Sequence, residues 1–262
     1  MSKIAKLFSA KSKNILSVYC TAGFPKPGST VEVLLALQKH GADLIELGIP
    51  YSDPIADGPI IQESNMIALK NGISISKLFR QLLEFNKLYS PLKNKDLPLI
   101  LMGYLNPVMQ YGVEKFCRDA KEAGVDGIIL PDLPLYEFEN EYKQIFQKNS
   151  LDFIFLITPE TSEERIRKID ELSTAFIYAV SSSSTTGKDS DLKLQQKYFY
   201  KLQQMNLKNP VLVGFGIKDK QTFKAACEFT NGAIIGSAYI RALQNGGDIN
   251  SSTKKFLNEI LN

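Results

Sequence analysis

Apolar and polar positions follow two periods along this chain, and the two periods take turns from one end to the other. Short apolar runs with strand character fall at 15–21, 44–48, 97–102, 127–130, 153–157, 176–180, 211–214 and 233–236. Between them the spacing becomes helical: Val113, Phe116, Cys117 and Ala120 share one face, as do Phe138, Tyr142, Ile145 and Phe146. Gly41, Gly124 and Asn149 stand where helices stop, and Asp43, Asp126 and Asp152 stand at the entries to the next strands. Eight strand-helix units in 262 residues predict an α/β fold, a single (β/α)8 TIM barrel, with its site at the C-terminal ends of the strands. A doubly wound open sheet is the alternative. No linker divides the chain, so one domain spanning 1–262 is expected. The first fourteen residues (MSKIAKLFSAKSKN) are basic and mildly amphipathic through Ile4, Leu7 and Phe8. They are read as a short N-terminal helix capping the fold, with a transit peptide as the alternative.

Composition narrows the class. At 44% hydrophobic and 23% charged, the chain has the make-up of a globular protein with a full core. Its net charge of +3 comes from 31 basic residues scattered among 28 acidic ones. With no basic block or aromatic-interleaved stripe, nucleic acid and anionic membrane are poor partners. Cys20, Cys117 and Cys227 stand far apart in apolar settings, with no metal-ligand spacing. Buried reduced thiols in a cytoplasmic protein are expected, and no metal site. No apolar run reaches transmembrane length. His40, the only histidine, falls near a helix end, which argues against imidazole catalysis.

The chemistry concentrates in residues 46–62, ELGIPYSDPIADGPIIQ. Alternation along 44–48 puts Glu46 on one face with Leu44 and Gly48, pointing into an enclosed space. Removing an ionised carboxylate from water costs several kcal/mol unless it is paired, or else its pKa rises. A carboxyl tuned in that way is a candidate general acid or base; the alternative is a structural ion pair. Asp53 and Asp57 follow in a proline- and glycine-punctuated loop. Asp57 precedes Gly58 and could be a turn residue only. Tyr104 and Asn106 follow the third run, Asp132 follows the fourth, and Tyr178 lies in the sixth. On a barrel all of these face one end.

The sixth loop, 181–188 (SSSSTTGK), superficially matches a nucleotide-binding P-loop. Ser182 replaces the first glycine and Asp189 replaces the residue that must be Ser or Thr. An active-site lid or a flexible linker fits it better. After the last two runs, Gly214-Phe215-Gly216-Ile217-Lys218 and Gly236-Ser237-Ala238 lead into helices. Glycines let backbone N–H groups approach an oxyanion, and helix N-termini add a favourable dipole. A phosphorylated ligand is expected there; tight-turn glycines alone are the alternative.

The 46–62 stretch, LMGYLNPVMQYG (101–112), ILPDLP (129–134), GFGI (214–217) and IIGSA (234–238) together resemble the α subunit of tryptophan synthase. The similarity runs in register from Thr21 to Arg241 at least. The resemblance implies reversible retro-aldol cleavage of indole-3-glycerol phosphate to indole and glyceraldehyde 3-phosphate. It implies that Glu46 moves protons, that Asp57 accepts a hydrogen bond from the indole N–H, and that Tyr178 lies beside the substrate. Tyr19, Met102, Tyr104 and Ile129 would line the indole pocket. Gly187, Gly216, Gly236 and Ser237 would contact the phosphate, Thr186 and Phe215 would also bind substrate, and Asp132 would help order the closing loop. No cofactor is implied in this chain. The partner implied is a pyridoxal-phosphate-dependent β subunit in an α2β2 tetramer, faced by Pro50, Asp53 and Asn106. The sixth loop departs from the Gly-Val-Thr-Gly ending of many relatives: here it reads Ser184-Thr185-Thr186-Gly187. Two other readings compete: a different phosphosugar-converting barrel, and a non-catalytic subunit that only activates the β partner.

Overall fold

Each apolar run contributes to one parallel sheet in the computed structural model, which describes residues 1–89, 97–180, 192–214, 216–245 and 247–262. The strands are β1 (Ile15–Thr21), β2 (Leu44–Gly48), β3 (Leu99–Met102), β4 (Gly127–Ile129), β5 (Asp152–Phe153), β6 (Leu156–Ile157), β7 (Ile177–Val180), β8 (Val211–Gly214) and β9 (Gly232–Ile235). Their order is β5-β4-β3-β2-β1-β9-β8-β7-β6. Both ends of that order belong to one expected strand, 153–157, which divides into β5 and β6. The Ile154 N–H donates to the Ile128 carbonyl at 3.1 Å on one side. On the other, the Tyr178 N–H donates to the Phe155 carbonyl at 3.0 Å. The fifth run thus passes from one neighbour to the other and closes the sheet into the eight-unit barrel that the pattern predicted. Apart from Asp152 and Leu156, the strand residues are buried, as a helix-wrapped parallel sheet requires; their Val, Leu and Ile content answers that demand.

Side chains at the N-terminal rim fasten the strand entries. Asp43 Oδ2 accepts from the Leu16 N–H at 2.9 Å and from Lys11. Asp126 accepts from the Leu99 N–H at 3.0 Å and pairs with Lys3 at 3.6 Å. Asn231 Oδ1 accepts from the Val211 N–H at 2.8 Å. These bonds satisfy edge N–H groups that the ladder leaves over. Asp152 does not share the role; the Phe153 N–H donates to Thr174 Oγ1 instead. Helix Lys3–Ala10 closes this end of the barrel, with Ile4 fully buried near Gly127.

The predicted helical face at 113–120 forms, with Phe116, Cys117 and Ala120 buried. The one at 138–146 differs: Phe138–Tyr142 is a π-helical turn before helix Lys143–Lys148. Phe138 there stacks on Phe153 at 4.3 Å and meets Phe155 edge-on at 4.9 Å. His40 ends helix Ser29–His40, and its Nε2 lies 2.9 Å from Asn250 Oδ1. Among the described residues, no helix is long and apolar enough to cross a membrane.

Candidate active site

Glu46 is the central residue of β2, whose pairing with β1 continues to Gly48. Its side chain is fully buried. The two carboxylate oxygens are not equivalent. Oε1 accepts a 2.9 Å hydrogen bond from the Ser17 hydroxyl, whereas Oε2 finds no partner among the described residues. Burial pushes the carboxyl up to about 8, with the Ser17 bond opposing the rise.

Tyr178 sits on β7, with β1, β9 and β8 lying between it and β2 in the ring. Its phenol is nevertheless held well above its ordinary pKa, first by burial and then by Glu46, Asp57 and Tyr19. Electrostatic influence from so distant a strand crosses the barrel interior. Tyr19 on β1 pairs with Glu46 in the strand register and is likewise raised by burial, then by Asp57. Both phenols depend on a glycine in a neighbouring strand. A Cβ at Gly48 would overlap the Tyr19 hydroxyl, and one at Gly214 would overlap that of Tyr178. Met102 and Ile129 are buried register partners at the ends of β3 and β4, where they add apolar wall.

The loop after β2 brings the second carboxyl to this end. The Tyr104 hydroxyl donates to Asp57 Oδ2 at 3.0 Å and accepts from the Ala56 N–H at 3.0 Å. Burial raises Asp57 to about 6, and the Tyr104 bond lowers it. The Asp57 N–H closes a turn onto the Pro54 carbonyl at 3.0 Å. Gln62 Nε2 then donates to the Asp57 carbonyl at 2.8 Å. Asp132 accepts from the Leu105 N–H with both oxygens, at 2.9 and 3.0 Å, and so caps helix Leu105–Tyr111 from outside.

The two glycine turns differ. Gly216 has φ +74° and stands apart from helix Lys220–Phe229, whose N-terminus is capped by its own Asp219. Asp219 accepts from the Thr222 N–H at 2.8 Å. Helix Ser237–Gln244 instead begins directly at Gly236, which offers no capping side chain. The expected pair of helix N-termini is therefore corrected to one open terminus, at Gly236 and Ser237, because a carboxylate already serves the other. Phe215, Thr186, Gly187 and the rest of the sixth loop lie outside the described residues.

On the same rim, Pro50 is half-buried while Asp53 and Asn106 are exposed. Asp53 accepts from Ser52 at 2.6 Å, and Asn106 donates to the Tyr51 hydroxyl at 3.2 Å. Sequence reasoning assigned no role to Ser17 or Gln62, and it placed Gly48 and Gly214 without showing that they make room for the Tyr19 and Tyr178 hydroxyls. A signal existed for Ser17: Ser17, Tyr19 and Thr21 put three hydroxyls on one face of an otherwise apolar strand.

A closed barrel with an enclosed carboxyl, two buried phenols and a loop-borne second carboxyl around its C-terminal end has the layout of a TIM-barrel enzyme. The family model described as tryptophan synthase alpha chain matches residues 5–261. The tryptophan synthase alpha chain of Phocaeicola vulgatus is 48% identical over all of both chains. That of Flavobacterium psychrophilum is 49% identical over 95% of this chain and 96% of its own. Among solved structures, the alpha chain of Legionella pneumophila superposes with a TM-score of 0.85 at 37% identity, covering 99% of this chain and 96% of that one. A chain of the tryptophan synthase α2β2 complex of Pyrococcus furiosus superposes with a TM-score of 0.85 at 36% identity, covering 95% and 98%. The protein belongs to the tryptophan synthase alpha chain family.

Proposed function

We propose that this chain cleaves indole-3-glycerol phosphate reversibly to indole and glyceraldehyde 3-phosphate, with Glu46 as the group that moves protons. The carrying observation is a fully buried carboxyl with one oxygen held and the other unpartnered among the described residues. With its pKa raised to about 8, Glu46 carries a proton at neutral pH. It gives that proton to the indole carbon bearing the glycerol chain. The resulting carboxylate takes the proton of the adjacent hydroxyl; the carbon-carbon bond breaks, its electron pair returns to the ring, and the hydroxyl carbon becomes the aldehyde. One proton enters and one leaves, so Glu46 ends as it began.

Asp57, at about 6, is mostly ionised at the same pH. It faces the positive charge that develops on the indole nitrogen, an interaction that strengthens where water is excluded. Tyr19, Tyr104, Met102, Ile129 and Tyr178 frame the ring. Gly216, Gly236 and Ser237, with Phe215, Thr186 and Gly187, take the phosphate end; the open helix N-terminus at Gly236 supports this part. Asp132 steadies the neighbouring helix.

We further infer that residues 1–262 work as one domain without a cofactor of their own, in the cytoplasm. They pass indole to a β subunit carrying pyridoxal phosphate, within an α2β2 tetramer. Support comes from exposed apolar side chains near Pro50, Asp53 and Asn106 in sequence or on neighbouring units: Ile55 at 86%, Met109 at 54% and Tyr136 at 74% exposure. The test is indole formation from indole-3-glycerol phosphate by the purified protein, alone and with a β subunit. Indole in both arms, faster in the second, is expected. Its absence from both would refute the assignment.

A further inference from the structure

We propose that Ser17 is a positioning residue for Glu46, its hydroxyl anchoring Oε1 so that Oε2 is the oxygen that exchanges protons with substrate. This inference rests on the acid-base reading of Glu46 given above. Ser17 is fully buried in β1, where its register partner is Leu44, two residues before Glu46. The hydroxyl therefore approaches from the N-terminal side of the carboxyl, from the closed end of the barrel. Its neighbours along β1 are Leu16 and Val18, both buried hydrocarbon. A polar group there is costly unless bonded, and among the described residues the 2.9 Å bond to Glu46 is the one it makes.

A freely rotating carboxyl in a closed barrel presents either oxygen in any orientation. A donor fixed on the adjacent strand removes that freedom before substrate arrives. The donor also acts on charge: it favours the carboxylate and opposes the rise caused by burial. The other titratable groups that bear on this carboxyl are Cys20 on β1 and Tyr178 on β7, with Asp57 and Tyr19 acting on Tyr178. Burial holds the thiol and both phenols above their ordinary values, so they stay neutral through the working range. The register partner of Glu46 on β3, Ile100, and its chain neighbours on β2, Ile45 and Leu47, carry no charge. Ser17 is thus the group through which the protein adjusts Glu46 downward.

The test compares the parent, Ser17→Ala, Ser17→Thr and Glu46→Gln. Two readouts are taken: the pH profile of kcat and KM for indole release, and the carboxyl 13C titration of Glu46 in ligand-free protein, assigned by its loss in Glu46→Gln. Ser17→Ala is expected to move the Glu46 midpoint and the alkaline limb of kcat upward together, by roughly one pH unit. Plateau kcat should fall about fivefold to tenfold with KM nearly unchanged, and Ser17→Thr should restore both. An unmoved midpoint in Ser17→Ala overturns the inference. A midpoint that moves while the alkaline limb stays, or Glu46→Gln that still turns over, overturns the acid-base reading and the inference with it. The two failures are thereby told apart.

Discussion

At the scale of residues, two carboxyls at one barrel end carry different charge at neutral pH. Glu46, raised to about 8, holds a proton, while Asp57, raised to about 6, has mostly lost its own. Environment separates acid from anion. Tyr104 is one source of the separation, since its bond favours the charged form of Asp57. Tyr104→Phe should therefore move the acid limb of the pH-rate profile upward, and a pH series on that variant checks it. Stability is linked to the same groups. Because Glu46 and Asp57 have folded pKa values above their ordinary 4.5 and 3.8, the native state binds more protons than the unfolded chain between those limits. Stability falls as pH rises through that window. Glu46→Gln escapes its share. Its Tm should exceed that of the parent at pH 9, by about 1–4 kcal/mol of stability, and approach it near pH 4, as thermal unfolding would show. The inward carboxylate was legible because a charge in an apolar run must either be paired or shift its pKa, and among the described residues no cation pairs with Glu46. Ser17 was only half legible: its place among the hydroxyls on one face of β1 was a signal, but only the structure shows its bond to Glu46 on the neighbouring strand.

At the scale of elements, the loop after β2 is held by a side chain beyond it. Gln62, in the first turns of helix Pro59–Lys70, bonds the Asp57 carbonyl. Gln62→Ala should loosen residues 53–58 while leaving the barrel intact. Faster amide exchange confined to that loop, with a severalfold rise in KM, is the expected result. Strand and helix periods revealed all eight units, yet they gave the fifth run as one straight strand. A run of five apolar residues says nothing about which neighbour each half will meet; the division into β5 and β6 follows from closing the ring. The helix N-termini were half legible. Glycines announced both turns, but only geometry showed Asp219 turned back onto its own helix.

At the scale of the whole molecule, one end of the barrel is fastened and the other left for chemistry. Asp43, Asp126 and Asn231 tie strand entries at the N-terminal rim, where helix Lys3–Ala10 inserts Ile4. Ile4→Ala removes a fully buried side chain and should cost about 2–5 kcal/mol. Denaturant unfolding would measure it, and kcat of the surviving native protein should stay within about twofold, since the change is at the end remote from Glu46.

The division between ends rests on what Glu46 does. Glu46→Gln keeps the shape of the side chain and removes the transferable proton. Indole release from indole-3-glycerol phosphate by that variant, measured beside its substrate affinity, is the most direct test. Release should fall by about a thousandfold or more with affinity within a few-fold of the parent. Turnover close to the parent's would contradict the assignment of Glu46 as the proton-transferring group.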